Sequence, residues 1–312
     1  MTKIGIHITP APEAYARCVI GVKKEEDLVP LVGKLSNLLR RRIIANYPGL
    51  TDLWGTICTL MQDEDVRRQV EPYLGKTIPA SVLEKIQQQR NLPFWTALFS
   101  LYGTPEIVQS QLQTIKRDFE TLADAEITTN LHTASPGQTL PASVIGPELE
   151  ILPQTGRPTL ASMQMLDSIE PGCGHIAFAP VLPTSGRELY AWYREAKCLT
   201  ETAGFNFLAD FHLFPRFMIP INLVVFTGDR RRKMDELLRK LTTRTAEMGY
   251  AEYRTHVSYM DEVAGHYSFN DGALRRVTTG LKDFLDPRGV LAPGKSGIWN
   301  SKGKRRDVSP HI

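Results

Sequence analysis

Between His175 and Thr255 the hydrophobic pattern switches repeatedly between the two-residue period of a strand and the roughly 3.6-residue period of a helix. No other stretch constrains the fold as tightly. His175 to Val181 reads as a strand. Ser185-Gly186 opens a helix that runs to about Gly204, a glycine suited to a C-terminal cap. Asn206 to Leu213 and Met218 to Phe226 are two further strands, joined around Pro215. Asp229 to Met248 is a charged amphipathic helix ending near Gly249, and Ala251 to Thr255 is a final strand. The order β-α-β-β-α-β is the ferredoxin-like arrangement.

The first half reads as a looser version of the same plan. Ala16 to Val22 suits a strand, and Asp27 to Arg40 places leucines at helical spacing. Pro93 to Tyr102 is an aromatic-rich strand. Thr104 caps a helix with Pro105 in its first turn, running to about Leu122, and Glu126 to Leu131 is another strand. The expected fold class is therefore α+β: ferredoxin-like antiparallel sheet with helices packed on one face. Residues 133–158, rich in Pro, Gly, Ser and Thr, read as a long surface excursion.

Composition removes several function classes. The 312 residues carry a net charge of +3, with acids and bases nearly balanced, which argues against a nucleic-acid partner. The basic cluster Lys302, Lys304, Arg305 and Arg306 reads as a solvated tail. The cysteines at 18, 58, 173 and 198 have no CxxC spacing, so no metal site is expected; scattered thiols fit a reducing, cytoplasmic compartment. No apolar run suggests a signal peptide or a membrane span. There is no GxGxxG and no GxxxxGK[ST], so the chain lacks a nucleotide-binding motif of its own.

Three stretches spend polar residues in apolar or glycine-rich company. The first runs from Pro171 to Pro180 (PGCGHIAFAP), with His175 at a strand entrance. A histidine there is either structural or a ligand anchor. The second is Glu252-Tyr253-Arg254-Thr255-His256. In an unbroken strand Glu252, Arg254 and His256 would share one face, an edge with a surface ion pair. Alternatively Tyr253 and Arg254 surround an anion, and then the strand must end or bend between them. The third runs from Phe284 to Trp299 (FLDPRGVLAPGKSGIW). Asp286-Pro287 stops a helix, and a glycine-punctuated turn with Lys295 follows. It is either a plain turn or a wrap around an anionic cofactor.

Together these stretches, in this order and spacing, resemble the vanillyl-alcohol oxidase and 4-cresol methylhydroxylase family of FAD-linked oxidases. The resemblance covers essentially the whole chain, from Lys3-Ile4-Gly5-Ile6 to the LAPGKSG ending. It implies that residues 1–250 are a substrate-binding cap domain, and that residues 251–312 return to an FAD-binding domain not contained in this sequence. It implies FAD as cofactor, covalently linked through His175 in many members, and a 4-alkyl- or 4-hydroxyalkyl-phenol as substrate. Tyr253 and Arg254 correspond to the positions that hold the phenolic oxygen. Phe178 and Phe207 correspond to pocket or ring-packing residues, a plain core role being the alternative, Glu252 to a residue that orients Arg254, and Lys295 with Gly294 to a contact with the flavin. Members are commonly homo-oligomers. One departure is Ala177, where an aromatic residue is frequent. The competing expectations are a flavin oxidase of a hydroxy acid, with Arg254 on a carboxylate, and a catalytically silent cap-like binding module.

Overall fold

The computed structural model of the chain describes residue 5, residues 11–141, residue 166, residues 169–170 and residues 172–303. Two βαββαβ units are legible. The first contains β1 (Ala14–Val22), α1 (Leu28–Arg40), β2 (Gly49–Thr51), three helices α2 (Leu53–Thr59), α3 (Glu64–Val70) and α4 (Ala80–Arg90), then β3 (Trp95–Gly103), α5 (Pro105–Phe119) and β4 (Glu126–Thr133). The second contains β5 (Gly174–Phe178), β6 (Pro180–Val181), α6 (Gly186–Thr202), β7 (Ala209–Leu213), β8 (Met218–Phe226), α7 (Arg231–Glu247) and β9 (Ala251–Glu252). Two more helices follow, α8 (Met260–Gly265) and α9 (Phe269–Leu285).

The strands form a sheet in the order β4-β1-β3-β2-β7-β8-β5, with antiparallel neighbours throughout. The first unit therefore has the ferredoxin-like order fourth-first-third-second. The second repeats it in mirror sequence, because β9 pairs with β6 where the β5 strand continues. The units join edge to edge through β2 and β7, with Leu50 opposite Phe211. This join covers what would otherwise be two exposed sheet edges.

The helical signals act as their chemistry requires. Thr104 accepts a hydrogen bond from the Ile107 N–H and precedes Pro105, and Ser185 accepts one from the Glu188 N–H. Gly204 and Gly249 follow their helices with φ of +84° and +87°, the left-handed backbone that stops a helix. The main core lies between one sheet face and helices α1, α5, α6 and α7. Its centre is aromatic: Trp95, Trp192, Tyr193, Phe207 and Phe211 meet at tilted and edge-on angles. The other sheet face of the second unit carries an additional layer. Trp54, Ile57, Val66 and Ile86 of α2–α4 pack there with Leu208 and Leu223.

Three expected strands are shorter than their patterns; the one expected from Asn206 begins only at Ala209. The strand from His175 breaks at Ala179, and its continuation β6 leans towards β9. The last strand stops after Glu252 instead of reaching Thr255. There the chain bends, and His256 Nδ1 accepts a hydrogen bond from the Ser258 N–H to start the helical turn Val257–Tyr259. Of the expected excursion, residues 133–141 are described. Leu140 returns to pack on Tyr15, and its N–H donates to the Pro12 carbonyl. The remainder, with Lys304, Arg305, Arg306 and the stretch around Lys3, lies outside the described residues. Among the described residues no helix is long and apolar enough to cross a membrane, and no group of side chains is arranged to hold a metal.

Helices α1 and α6 approach unusually closely at Gly186. A Cβ there would sit 2.3 Å from the Val29 carbonyl oxygen and 3.0 Å from its Cα, both backbone atoms that cannot step aside. We predict that Gly186→Ala costs about 1–3 kcal/mol of stability by overpacking, read as a lowered denaturant midpoint at unchanged m-value. The same substitution at Gly265, where a Cβ would meet nothing within 4 Å, should leave the midpoint nearly unmoved.

Candidate active site

The site is set by which side of the ribbon each side chain leaves. In β5 Ile176 and Phe178 are buried in the main core, while His175 and Ala177 point to the opposite face. His175 is exposed, lies opposite Val225 of β8, and makes no side-chain hydrogen bond among the described residues. Ala177 lies opposite Leu223.

Beyond Ala179 the pairing transfers to β9. Pro180 lies opposite Glu252 and Val181 opposite Ala251, and the Tyr253 N–H donates to the Ala179 carbonyl at 2.7 Å. Residues opposite each other across an antiparallel pair leave the same face. Tyr253 therefore shares its side with Ala179, and so with Ala177 and His175. Tyr253 is 59 % exposed. Arg254 follows in the bend, exposed and without an ion pair among the described residues. Ala179 lies four positions beyond His175, about 13 Å at ~3.3 Å per residue of extended chain. Because strand pairing ends at Glu252, alternation no longer sends Tyr253 and Arg254 to opposite faces.

Parity along β8 carries the same face further into the sheet. Val225 and Leu223 stand opposite His175 and Ala177, and Ile221 stands opposite Asp210 of β7. Asp210 and His212 thus leave that face as well, with His212 Nε2 at 3.3 Å from Asp210 Oδ2. This acid–imidazole pair was not singled out from the sequence. Its signal was present in the alternation Ala209-Asp210-Phe211-His212-Leu213, where three apolar residues turn inward and two polar ones turn outward.

Three expected site residues lie on the other side. Phe178 and Phe207 are core residues: Phe178 stacks on Trp192, and Phe207 packs edge-on to Trp192 and Tyr193. Strand alternation explains Phe178, which is odd in phase with His175 and Ala177. Glu252 does not orient Arg254. It is only 5 % exposed, and it faces a small cavity lined by Phe178, Thr242, Thr245 and His266. Burial pushes its carboxyl up to about 8, and the nearby Thr255 hydroxyl and Ala179 backbone bring it only part of the way back.

Gly294 and Lys295 belong to a separate piece. Lys295 opens a helical turn, is exposed, and has no ion pair among the described residues. Gly294 has φ +74°, and a Cβ on it would lie 2.3 Å from the Trp299 ring, so internal packing accounts for this glycine. The turn is fastened to α8: Trp299 Nε1 donates to Asp261 Oδ1 at 2.7 Å, and a Cβ on Gly297 would strike Ala264. Helix α8 is in turn held to α7 through Tyr259, whose hydroxyl bonds Asp235 and whose ring lies under the Arg239 guanidinium. One short helix thereby links the Tyr253-Arg254 bend to the glycine-rich turn.

No family model matches the chain. It is 26 % identical over 300 residues to the flavoprotein subunit of 4-cresol dehydrogenase (hydroxylating) from Pseudomonas putida, covering 95 % of this chain and 54 % of that protein. The fold is shared with 4-ethylphenol oxidase from Gulosibacter chungangensis, solved as an isoeugenol complex, at a TM-score of 0.78 and 26 % identity, over 94 % of this chain and 55 % of that one. It is shared equally with p-cresol methylhydroxylase, solved with substrate bound, at a TM-score of 0.79 and 23 % identity, over 93 % and 54 %. The fold and the matched stretch are those of FAD-linked oxidases. The chain resembles flavoproteins of the vanillyl-alcohol oxidase and 4-cresol methylhydroxylase family, and it spans about half the length of the relatives it matches.

The position of β7 beneath the site depends on a buried acid. Asp52 caps α2 through the Gly55 N–H at 2.9 Å and also accepts the Ala209 N–H at 3.3 Å, next to Asp210. Desolvation raises its carboxyl to about 7, against the hydrogen bonds that lower it. The folded state then holds a proton that the unfolded chain releases near pH 4, so this residue's contribution to stability is present below about pH 4 and is lost as pH rises towards 7. We predict that Asp52→Asn flattens the dependence of unfolding free energy on pH across this window, measured by denaturant titration at several pH values.

Proposed function

We propose that this chain is the substrate-side half of a flavin-dependent oxidoreductase that oxidises a 4-alkyl- or 4-hydroxyalkyl-phenol by hydride transfer to FAD. In this reading residues 1–250 form the cap, and residues 251–312 return to an FAD-binding domain. The observation that carries it is the β6–β9 register. It sets Tyr253 on the same face as His175, about 13 Å further along the ribbon. That span suits a planar ring system and a phenol-sized molecule laid end to end. The names of the relatives, which act on or are named for cresol and ethylphenol, support the substrate class.

The residues present fit the cofactor. His175 is exposed and unbonded at a strand entrance, available for attachment. Bound FAD would supply the acceptor for a hydride. The chain's own residues would do the rest. A phenol has a pKa of about 10, so holding its anion at neutral pH requires about 4 kcal/mol of stabilisation. The Arg254 guanidinium and the Tyr253 hydroxyl can donate charge-assisted hydrogen bonds of that strength to one oxygen once water is excluded. The phenolate then feeds its electron pair through the ring as hydride leaves the benzylic carbon, and a neutral quinone methide remains. Asp210, paired with His212 on the same face, could take a proton from water adding to that carbon.

The partner domain has a matching surface. Helix α9 has no buried residue, and Leu274, Val277, Leu281 and Phe284 recur at helical spacing on one side, Phe284 being 83 % exposed. An apolar stripe of this kind calls for a cover. The returning-segment reading gives it one.

In the chain joined to its flavin domain, we predict that Arg254→Ala lowers kcat/KM for a 4-alkylphenol by at least ~100-fold, about 3 kcal/mol. Arg232→Ala, at a 91 % exposed side chain on α7, should cost under about 1 kcal/mol. Equal small effects would remove Arg254 from the site, and activity on hydroxy acids in place of phenols would replace the substrate class. His175→Ala should yield protein that releases its flavin on denaturation. Flavin retained in that variant would take the anchor role away from His175.

A further inference from the structure

The cavity beneath β9 has a feature that packing alone leaves unexplained. Glu252 is buried and aimed into it; the Thr255 hydroxyl and the Ala179 N–H lie beside its carboxyl, yet among the described residues neither oxygen has a partner at full hydrogen-bond geometry. The space is about 10 Å³, the volume a single water molecule needs. It is closed by Phe178 of β5, by Thr242, Thr245 and Ala246 of α7, by Tyr250 and Ala251, and by Val263 and His266 at the end of α8. The titratable groups facing it are few. Tyr250 directs its hydroxyl away to Glu188, and Tyr267 donates to the Glu252 backbone carbonyl, leaving its carboxyl untouched. His266 is the remaining one, and no cation pairs with Glu252 among the described residues.

We propose that Glu252 is a positioning residue: seated as a neutral acid in this cavity, it anchors the two-residue strand β9 against β6 and so determines where Tyr253 and Arg254 emerge. A neutral carboxyl can share its proton with a water or with His266, whereas a carboxylate there would be a buried charge without a counter-ion. Ionisation is relieved most cheaply by withdrawing the side chain to solvent. Glu252 cannot leave without pulling β9 away from β6, because the pairing consists of Ala251 and Glu252 alone, extended by the Tyr253 N–H bond to Ala179. The consequence is a pH-dependent release of the Tyr253-Arg254 bend. Burial places the transition near pH 8. That this bend meets a ligand rests on the reading given under Proposed function; that β9 is held by a protonated Glu252 does not.

The test is hydrogen exchange of the Tyr253 amide in the 312-residue chain, corrected for the intrinsic pH dependence of exchange, between pH 6 and pH 10. The expected result is a protection factor that is constant below about pH 7 and falls at least tenfold above pH 9 in the wild type. In Glu252→Gln, which keeps the size and removes the charge, it should stay constant throughout. Protection independent of pH in the wild type, or an equal fall in Glu252→Gln, would overturn the proposal. Arg254→Ala separates the two readings. It should leave the exchange profile unchanged while abolishing binding of 4-ethylphenol by the chain joined to its flavin domain. Loss of the profile in Arg254→Ala would make Arg254, and not Glu252, the anchor. Retained binding would remove the ligand reading alone.

Discussion

Two residues of strand decide the geometry of the candidate site. The pairing of Ala251 and Glu252 with Val181 and Pro180 is the shortest between named strands among the described residues, and the chain passes from it into the segment that follows the sheet. A longer β9 would alternate Tyr253 and Arg254 to opposite faces. A missing one would leave both in a loop with no relation to His175. Strand pairing that ends after Glu252, followed by a bend, frees Tyr253 and Arg254 from that alternation, and both are exposed. The rest of the scaffold holds this edge steady: β5 is locked to β8, α7 closes over the cavity at Glu252, and α8 ties the bend to α7 through Tyr259 and Asp235.

Much of the fold was readable from the chain because its elements obey local rules. Apolar runs in Ala16–Val22 and Met218–Phe226, caps at Thr104 and Ser185, and glycines at 204 and 249 each act within a few residues. The repeated βαββαβ order was legible for the same reason. What escaped were facts about partners far apart in sequence. The edge-to-edge join of β2 with β7 and the second helical layer on Leu208 and Leu223 depend on long-range pairing that no local pattern reveals.

The candidate site was legible to a similar depth. The resemblance picked out His175, Tyr253 and Arg254, and strand parity brings His175 and Tyr253 to one face. Phe178 and Glu252 stand near the motif residues in sequence, and strand alternation turns them to the core side; Phe207, just before β7, packs into the aromatic core. Asp210 and His212 carried a visible alternation, yet a two-residue polar pattern on a strand also describes an ordinary solvated face. The register β5–β8–β7 adds that they share a face with His175. Helix α9 illustrates the remaining limit. Its apolar stripe is plain in the spacing of Leu274, Val277 and Leu281, yet spacing alone does not tell a buried face from the exposed one the structure shows.

The central claim is that Tyr253 and Arg254 hold a phenol as its anion. The direct measurement is ultraviolet difference spectroscopy of a para-halogenated phenol, which has no benzylic hydrogen to lose, bound at pH 7 to the chain joined to its flavin domain. The account predicts that the bound ligand shows the absorption of the phenolate, and that Arg254→Gln returns it to that of the neutral phenol. A neutral-phenol spectrum in the bound wild type would contradict it.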